Sequence, residues 1–254
     1  MQPQTSLLMV NDVIILSLSV LPVIILGIYV YKKDKFNKEP LWMIIKAFCG
    51  GILSIPIALA FDSIVAGIIP GQGAFYNAFF QAGITEELAK WMIFMIFIWK
   101  SRHFDEYIDG IVYACFISLG FACIENIMYV FNTETFTSAL GTGFMRGVLA
   151  VPAHFLFAVL MGYYLAMAKF GGRMVFNLAL SLIFPIIAHG IYDFLLMFTD
   201  TLEKAGLGFL IFIIFAIFIY FDIKLWKIGI KRITKMMNRT QIERNNTRFK
   251  DIFK

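Results

Sequence analysis

The sequence predicts an all-α protein, a polytopic transmembrane helix bundle of about seven spans. Three observations predict it. The 254 residues are 60% hydrophobic and include 28 Phe. Charged residues make up only 15%, against about 25% in a soluble globular domain. The apolar residues also fall in runs of about 20, the length a helix needs to cross the hydrocarbon core.

Seven such runs are expected in order, at residues 12–31, 41–61, 76–99, 107–131, 144–168, 175–198 and 207–226. The first has no basic residues before it and no small-residue cleavage site after it, so it reads as a retained helix. Pro22, Pro56, Pro152 and Pro185 lie inside runs. Membrane helices tolerate such breaks where neighbours satisfy the freed carbonyls. Cys49, Cys115 and Cys123 all sit in apolar stretches without metal-site spacing and read as packing residues. Residues 1–227 form the expected bundle and residues 228–254 a short basic cytoplasmic tail, which anionic lipid could also attract.

Orientation follows from Lys and Arg. Of 22 basic residues, 18 fall on one side: in the loop "YKKDKFNKEP", at Lys100 and Arg102, at Lys169 and Arg173, and from Lys224 onward. The positive-inside rule then puts the amino terminus outside and the carboxyl terminus in the cytoplasm.

Against this background several polar residues are out of place. "ITEELAKW" puts Glu86, Glu87 and Lys90 inside the third run. Each such group costs on the order of 2.5–3.5 kcal/mol near the centre of an inserting helix. The fourth run holds Glu125 and Asn126, the fifth Arg146 and His154, and the sixth His189 and Asp193. Counting ~1.5 Å per residue from the outer end of each run gathers the acids and imidazoles into one layer of the outer half. Glu86 and Lys90, Phe121 and Glu125, and His189 and Asp193 are i,i+4 pairs, so each pair shares a helix face.

Taken singly, each group has a plainer use. Asn126 suits a bond between helices, Arg146 can snorkel to the outer boundary, and a lone histidine commonly bonds a neighbouring helix. Jointly they suggest chemistry. The layer shows no obvious thiol or hydroxyl nucleophile, which points to activated water. Glu86 or Glu87 would be the general base, Lys90 would hold one glutamate ionised, and His189 oriented by Asp193 would donate to a developing oxyanion. A second scheme uses a divalent metal such as zinc, held by Glu125, His154 and His189. The residues alone leave both schemes open. An H-E-x-x-H motif, a G-x-G-D motif and a G-x-S-G motif are all absent.

The segments "EELAK", "GFACIEN", "HFLFAVLMGYYLA" and "HGIYDF", with the early loop "DKFNKEP", resemble the PrsW family of bacterial intramembrane proteases from about residue 30 to about residue 200. The family's E-E-x-x-K falls on Glu86, Glu87 and Lys90, its F-x-x-x-E on Phe121 and Glu125, and its H-x-x-x-D on His189 and Asp193. The resemblance implies a multi-pass protease of the bacterial cell membrane. Its partners would be membrane lipids and a single-pass anti-sigma factor, cut first on the extracytoplasmic side; no nucleic-acid partner is expected. The related group that includes the CAAX prenyl proteases has E-E-x-x-x-R and F-x-x-x-H. Lys90 and Glu125 depart from that pattern, so prenyl-protein cleavage is not carried over. Two other classes stay in view: a proton-coupled transporter using the same acid and histidine layer, and a non-catalytic membrane scaffold.

Overall fold

A computed structural model describes residues 3–252, with side chains described for residues 11–246. The described residues are helical apart from short loops: α1 (Pro3–Lys33), α2 (Leu41–Ile68), α3 (Ala74–Tyr76), a π-helical segment π1 (Asn77–Ile84), α4 (Thr85–Phe97), α5 (Tyr107–Phe131), α6 (Phe136–Met145), a second π segment π2 (Arg146–Ala150), α7 (Val151–Phe170), α8 (Met174–Lys204), a 3₁₀ turn (Gly208–Leu210) and α9 (Ile211–Ile252).

Among the described residues, six helices are long and apolar enough to cross a membrane. The remaining expected span, 76–99, exists but is composite: α3, π1 and α4 follow one another without a break. The charged triplet at its middle and the π segment before it account for the interruption. A π segment inserts an extra residue into the helical ladder and often marks a functional site. The two π segments here each adjoin one of the unusual polar groups. One ends at Ile84, just before Glu86, and the other begins at Arg146. The second π turn also leads into Pro152, which has no N–H to donate, at the start of α7.

The bundle has an inner and an outer set of helices. The apolar window of α5 is 72% buried and that of the α6–π2–α7 run 83%. The corresponding windows of α1, α2, α8 and α9 reach at most 33%, so these four carry the lipid-facing surface. α5 packs on α1, α2, α4, α7 and α9. Glycine permits two of the close crossings. A Cβ on Gly120 would stand 2.1 Å from the Phe48 carbonyl oxygen, and one on Gly51 1.9 Å from that of Ile117, so α2 and α5 touch backbone to backbone. A Cβ on Gly190 would meet the Phe79 ring at 2.3 Å, which sets how near α8 lies to π1.

α9 does not stop where its apolar half ends. The polar segment from residue 228 continues the same helix and packs along the bundle. Met236 and Thr240 are buried there, Thr240 Oγ1 accepts from Ile108 N, and Arg244 Nε lies 2.9 Å from Glu106 Oε1. Residues 253–254 of the expected tail lie outside the described residues.

The same end of the bundle holds a second polar group. The α1–α2 loop brings Asp34 and Glu39 to the start of α5, where Asp109 caps the helix by accepting from Asp105 N at 3.0 Å and Glu106 N at 2.6 Å. Burial pushes the Glu39 and Glu106 carboxyls each up to about 7 and raises Asp34 above its ordinary value.

Candidate active site

The misplaced polar residues of four spans do meet. α4 supplies Glu86, Glu87 and Lys90 from successive turns, so all three project to one side. α5 supplies Glu125, α7 His154 and α8 His189 with Asp193. Lys90 is at the centre and only 1% exposed. Its ammonium donates to Glu87 Oε1 at 2.8 Å, Glu86 Oε2 at 3.3 Å and His154 Nδ1 at 3.2 Å, and lies 4.1 Å from the Phe121 ring centroid. An ammonium has no acceptor, so His154 Nδ1 accepts and its Nε2 carries the proton. That Nε2–H donates to Glu125 Oε2 at 2.8 Å.

Glu125 is held from its other side by Arg146, whose terminal nitrogen lies 2.9 Å from the same Oε2. Arg146 Nε donates to Asn126 Oδ1 at 2.7 Å, and Asn126 Nδ2 donates to the Ser19 carbonyl at 3.3 Å. The guanidinium also covers the Tyr129 ring at 3.8 Å. Arg146 therefore does not stand alone at a boundary; it is tied into the acid and histidine network. Asn126 bonds between helices, as its type suggested.

His189 closes the ring of contacts. Its Nδ1 donates to Glu87 Oε1 at 2.9 Å, and its Nε2 lies 3.3 Å from Asp193 Oδ2 and 3.9 Å from Glu86 Oε2. Phe157 stacks on its face at 4.8 Å between centroids, and the two histidine rings are 5.2 Å apart. Every residue expected at the site from the sequence thus lies in one connected network. Phe121 forms one wall, over the Lys90 ammonium and beside His154.

Two cavities open onto it. One, of about 290 Å³, is lined by Glu86, Glu125, Arg146, His154, His189 and Asp193 among others. The second, of about 360 Å³, lies between α2 and π1 and includes Asp62, Asn77 and Gln81. The cavities share Ala82, Glu86, Glu125, Tyr129 and Met197, which places Glu86 where they join.

Tyr192 also lines the first cavity. It is 4% exposed and its hydroxyl has no hydrogen-bond partner among the described residues. Its position between His189 and Asp193 in "HGIYDF" was the only signal in the sequence.

The donor set suits a divalent metal ion. Glu86, Glu87, His154 and His189 each present an atom within 4.8 Å of the others. Glu87 Oε2 is buried without a partner. Each histidine has a carboxylate at its Nε2, Glu125 for His154 and Asp193 for His189, the kind of outer support that orients metal-binding imidazoles. Four carboxylates against Lys90 and Arg146 leave two formal negative charges when both imidazoles are neutral. The Lys90 ammonium bonds three of these same side chains, so a metal ion and Lys90 would compete for them.

Known proteins resemble this chain over most of its length. Residues 39–221 match the family model described as PrsW family intramembrane metalloprotease. A protein named Protease PrsW from Oceanobacillus iheyensis is 41% identical over 184 residues, covering 72% of this chain and 82% of the relative. Proteins of the same name from Clostridioides difficile and Bacillus subtilis are 34% identical over 230 residues and 36% over 201. The first alignment covers 88% of this chain and 92% of the relative, the second 78% and 90%. No solved structure matches the chain.

Proposed function

This chain belongs to the PrsW family of intramembrane metalloproteases, multi-pass proteins of the bacterial cell membrane, and from that premise we propose that it makes the extracytoplasmic-side cut in a single-pass anti-sigma factor. The observation that carries the chemistry is the convergence of Glu86, Glu87, His154 and His189 within 4.8 Å at the junction of two cavities.

In this reading Glu86 is the general base. Its side chain is 17% exposed and borders both cavities, whereas Glu87 is fully buried and ion-paired to Lys90. Glu86 takes a proton from water as the water oxygen attacks the peptide carbonyl, then delivers that proton to the leaving amine nitrogen as the C–N bond breaks. Arg146 and the unpartnered Tyr192 hydroxyl border the same cavity and stabilise the oxyanion. Glu87, His154 and His189 are the residues that would hold a zinc-type ion, with Glu125 and Asp193 orienting the imidazoles. Such an ion would supply Lewis-acid polarisation and a more acidic water. Without it, Arg146 and the Tyr192 hydroxyl remain the donors toward the oxyanion, and His189 is held between Glu87 and Asp193.

The proposed side of cutting is supported by charge. Glu125 lies six residues from the Phe131 end of α5, about 9 Å along the axis, while Lys100 and Arg102 precede the other end. The positive-inside rule puts that other end in the cytoplasm, and with it the carboxyl terminus.

The test is cleavage in liposomes of a single-pass anti-sigma factor from the same genome. A cut near the extracytoplasmic boundary by the wild type, absent with Glu86→Gln, is the expected result. Cleavage that survives Glu86→Gln removes Glu86 from the role of base. No cut in any anti-sigma factor tested removes the substrate assignment.

A further inference from the structure

The α1–α2 loop and the first turn of α5 enclose a cluster that the proteolytic reading does not use. Asp34 and Asp109 are fully buried and Glu39 is 3% exposed. One oxygen from each lies within 4.8 Å of the other two. Three carboxylates in so small a space must share protons or take up a cation, because burying an uncompensated charge costs several kcal/mol.

No Lys or Arg among the described residues pairs directly with these three carboxylates. Arg244 pairs with Glu106, and Lys169 donates to the Trp99 and Phe104 carbonyls at 3.1 and 2.6 Å. The hydrogen bonds that do reach the cluster leave oxygens over. Asp34 Oδ2 accepts from Glu39 N, Asp109 Oδ2 from Asp105 N and Glu106 N, and Glu39 accepts from the Tyr113 hydroxyl. Asp34 Oδ1 and Asp109 Oδ1 are buried and accept no hydrogen bond from a donor group among the described residues. Two wholly buried carboxylates thus each keep a lone acceptor inside a three-acid cluster.

We infer that Asp34, Glu39 and Asp109 bind a hard divalent cation at the end of the bundle remote from the Glu–His site. The donor set is all oxygen, which suits calcium, magnesium or manganese rather than a thiolate-seeking metal. Calcium–oxygen distances of about 2.3–2.6 Å let ligand oxygens of one ion stand up to roughly 4.6–5.2 Å apart, so three oxygens within 4.8 Å of one another are in reach of a single ion. The bound ion ties the α1–α2 loop to α5, whose Glu125 lies 16 residues on, about 24 Å along the axis. Its role is to clamp the helix that carries the site, and it is independent of the proteolytic reading.

The experiment uses the full chain in lipid nanodiscs, freed of metal by chelator dialysis. The thermal midpoint is followed as calcium, magnesium or manganese is added separately to millimolar levels. Calcium is expected to raise the midpoint of the wild type and of His154→Ala alike, since His154 belongs to the other site. Asp34→Asn combined with Asp109→Asn is expected to abolish the rise and to weaken calcium binding by at least about tenfold. No rise with any of the three cations overturns the inference. So does a rise that persists in the double variant, or one that vanishes in His154→Ala.

Should the double variant fail to accumulate, terbium luminescence decides. The Tyr113 hydroxyl touches Glu39, so tyrosine excitation should sensitise terbium bound there, and calcium should displace it. Loss of that calcium-displaceable emission in Asp34→Asn supports the site. Undiminished emission overturns it.

Discussion

His189 Nδ1 lies 2.9 Å from Glu87 Oε1, a contact that joins α8 to α4 across 102 positions of sequence and is buried on both sides. Because Glu87 Oε1 also takes the Lys90 ammonium at 2.8 Å, a single oxygen links a histidine and a lysine in the interior of the bundle. Glu86, one residue earlier, shares the same partners at 3.3 and 3.9 Å and faces the cavities.

The two glutamates should therefore fail differently. Glu86→Gln is expected to remove cleavage with little loss of stability, because its contacts are longer and part solvated. Glu87→Leu leaves Lys90 buried with one ion pair fewer, a change of about 3–5 kcal/mol for a broken buried pair. Thermal unfolding in nanodiscs, run beside the liposome assay, separates them. Equal destabilisation by both would mean that the distinction between base and buried anchor is wrong.

Removal of metal should abolish activity. Elemental analysis of the purified protein is expected to show stoichiometric zinc or a similar ion, lost in His154→Ala, with cleavage falling in proportion after chelation and returning on re-addition. Full activity in metal-free protein would leave Glu86 and His189 to act without an ion.

Tyr192→Phe deletes a hydroxyl that has no hydrogen-bond partner among the described residues. Stability should not fall, and kcat should drop roughly 10²–10³-fold with KM little changed, as for loss of an oxyanion donor. An unchanged kcat would confine Tyr192 to packing between Phe157 and Phe218, whose rings lie 5.9 and 5.0 Å away.

The crossing of α2 and α5 sets the position of Glu125 and can be tested alone. Gly120→Ala forces a methyl against the Phe48 carbonyl at 2.1 Å, a backbone atom that cannot rotate away. A loss of about 1–3 kcal/mol or more is expected, with reduced cleavage from misplacement of Glu125. Wild-type melting and cleavage would show that the crossing has slack.

Much of this site was readable from the chain alone, because hydrocarbon makes every polar residue conspicuous. Local helical geometry carries Glu86, Glu87 and Lys90 to one face, and Asp193 to within reach of His189, whatever the rest of the protein does. Periodicity and apolar length likewise determine the helices, and the order of polar groups along them carries the family likeness. Tertiary packing decided the rest. It placed the Lys90 ammonium between Glu87 and His154, 64 positions away, and drew Arg146 through a π turn onto Glu125 and Asn126. It also turned the basic tail into a helix clamped on α5 and buried Asp34 and Glu39 against Asp109. Acids in a loop and at a helix start carry no sign of burial, since nothing within a few residues of them is changed by it. Only closure of the chain over 70 or more positions removes their water, and that closure depends on glycine crossings and side-chain shape rather than on any local pattern.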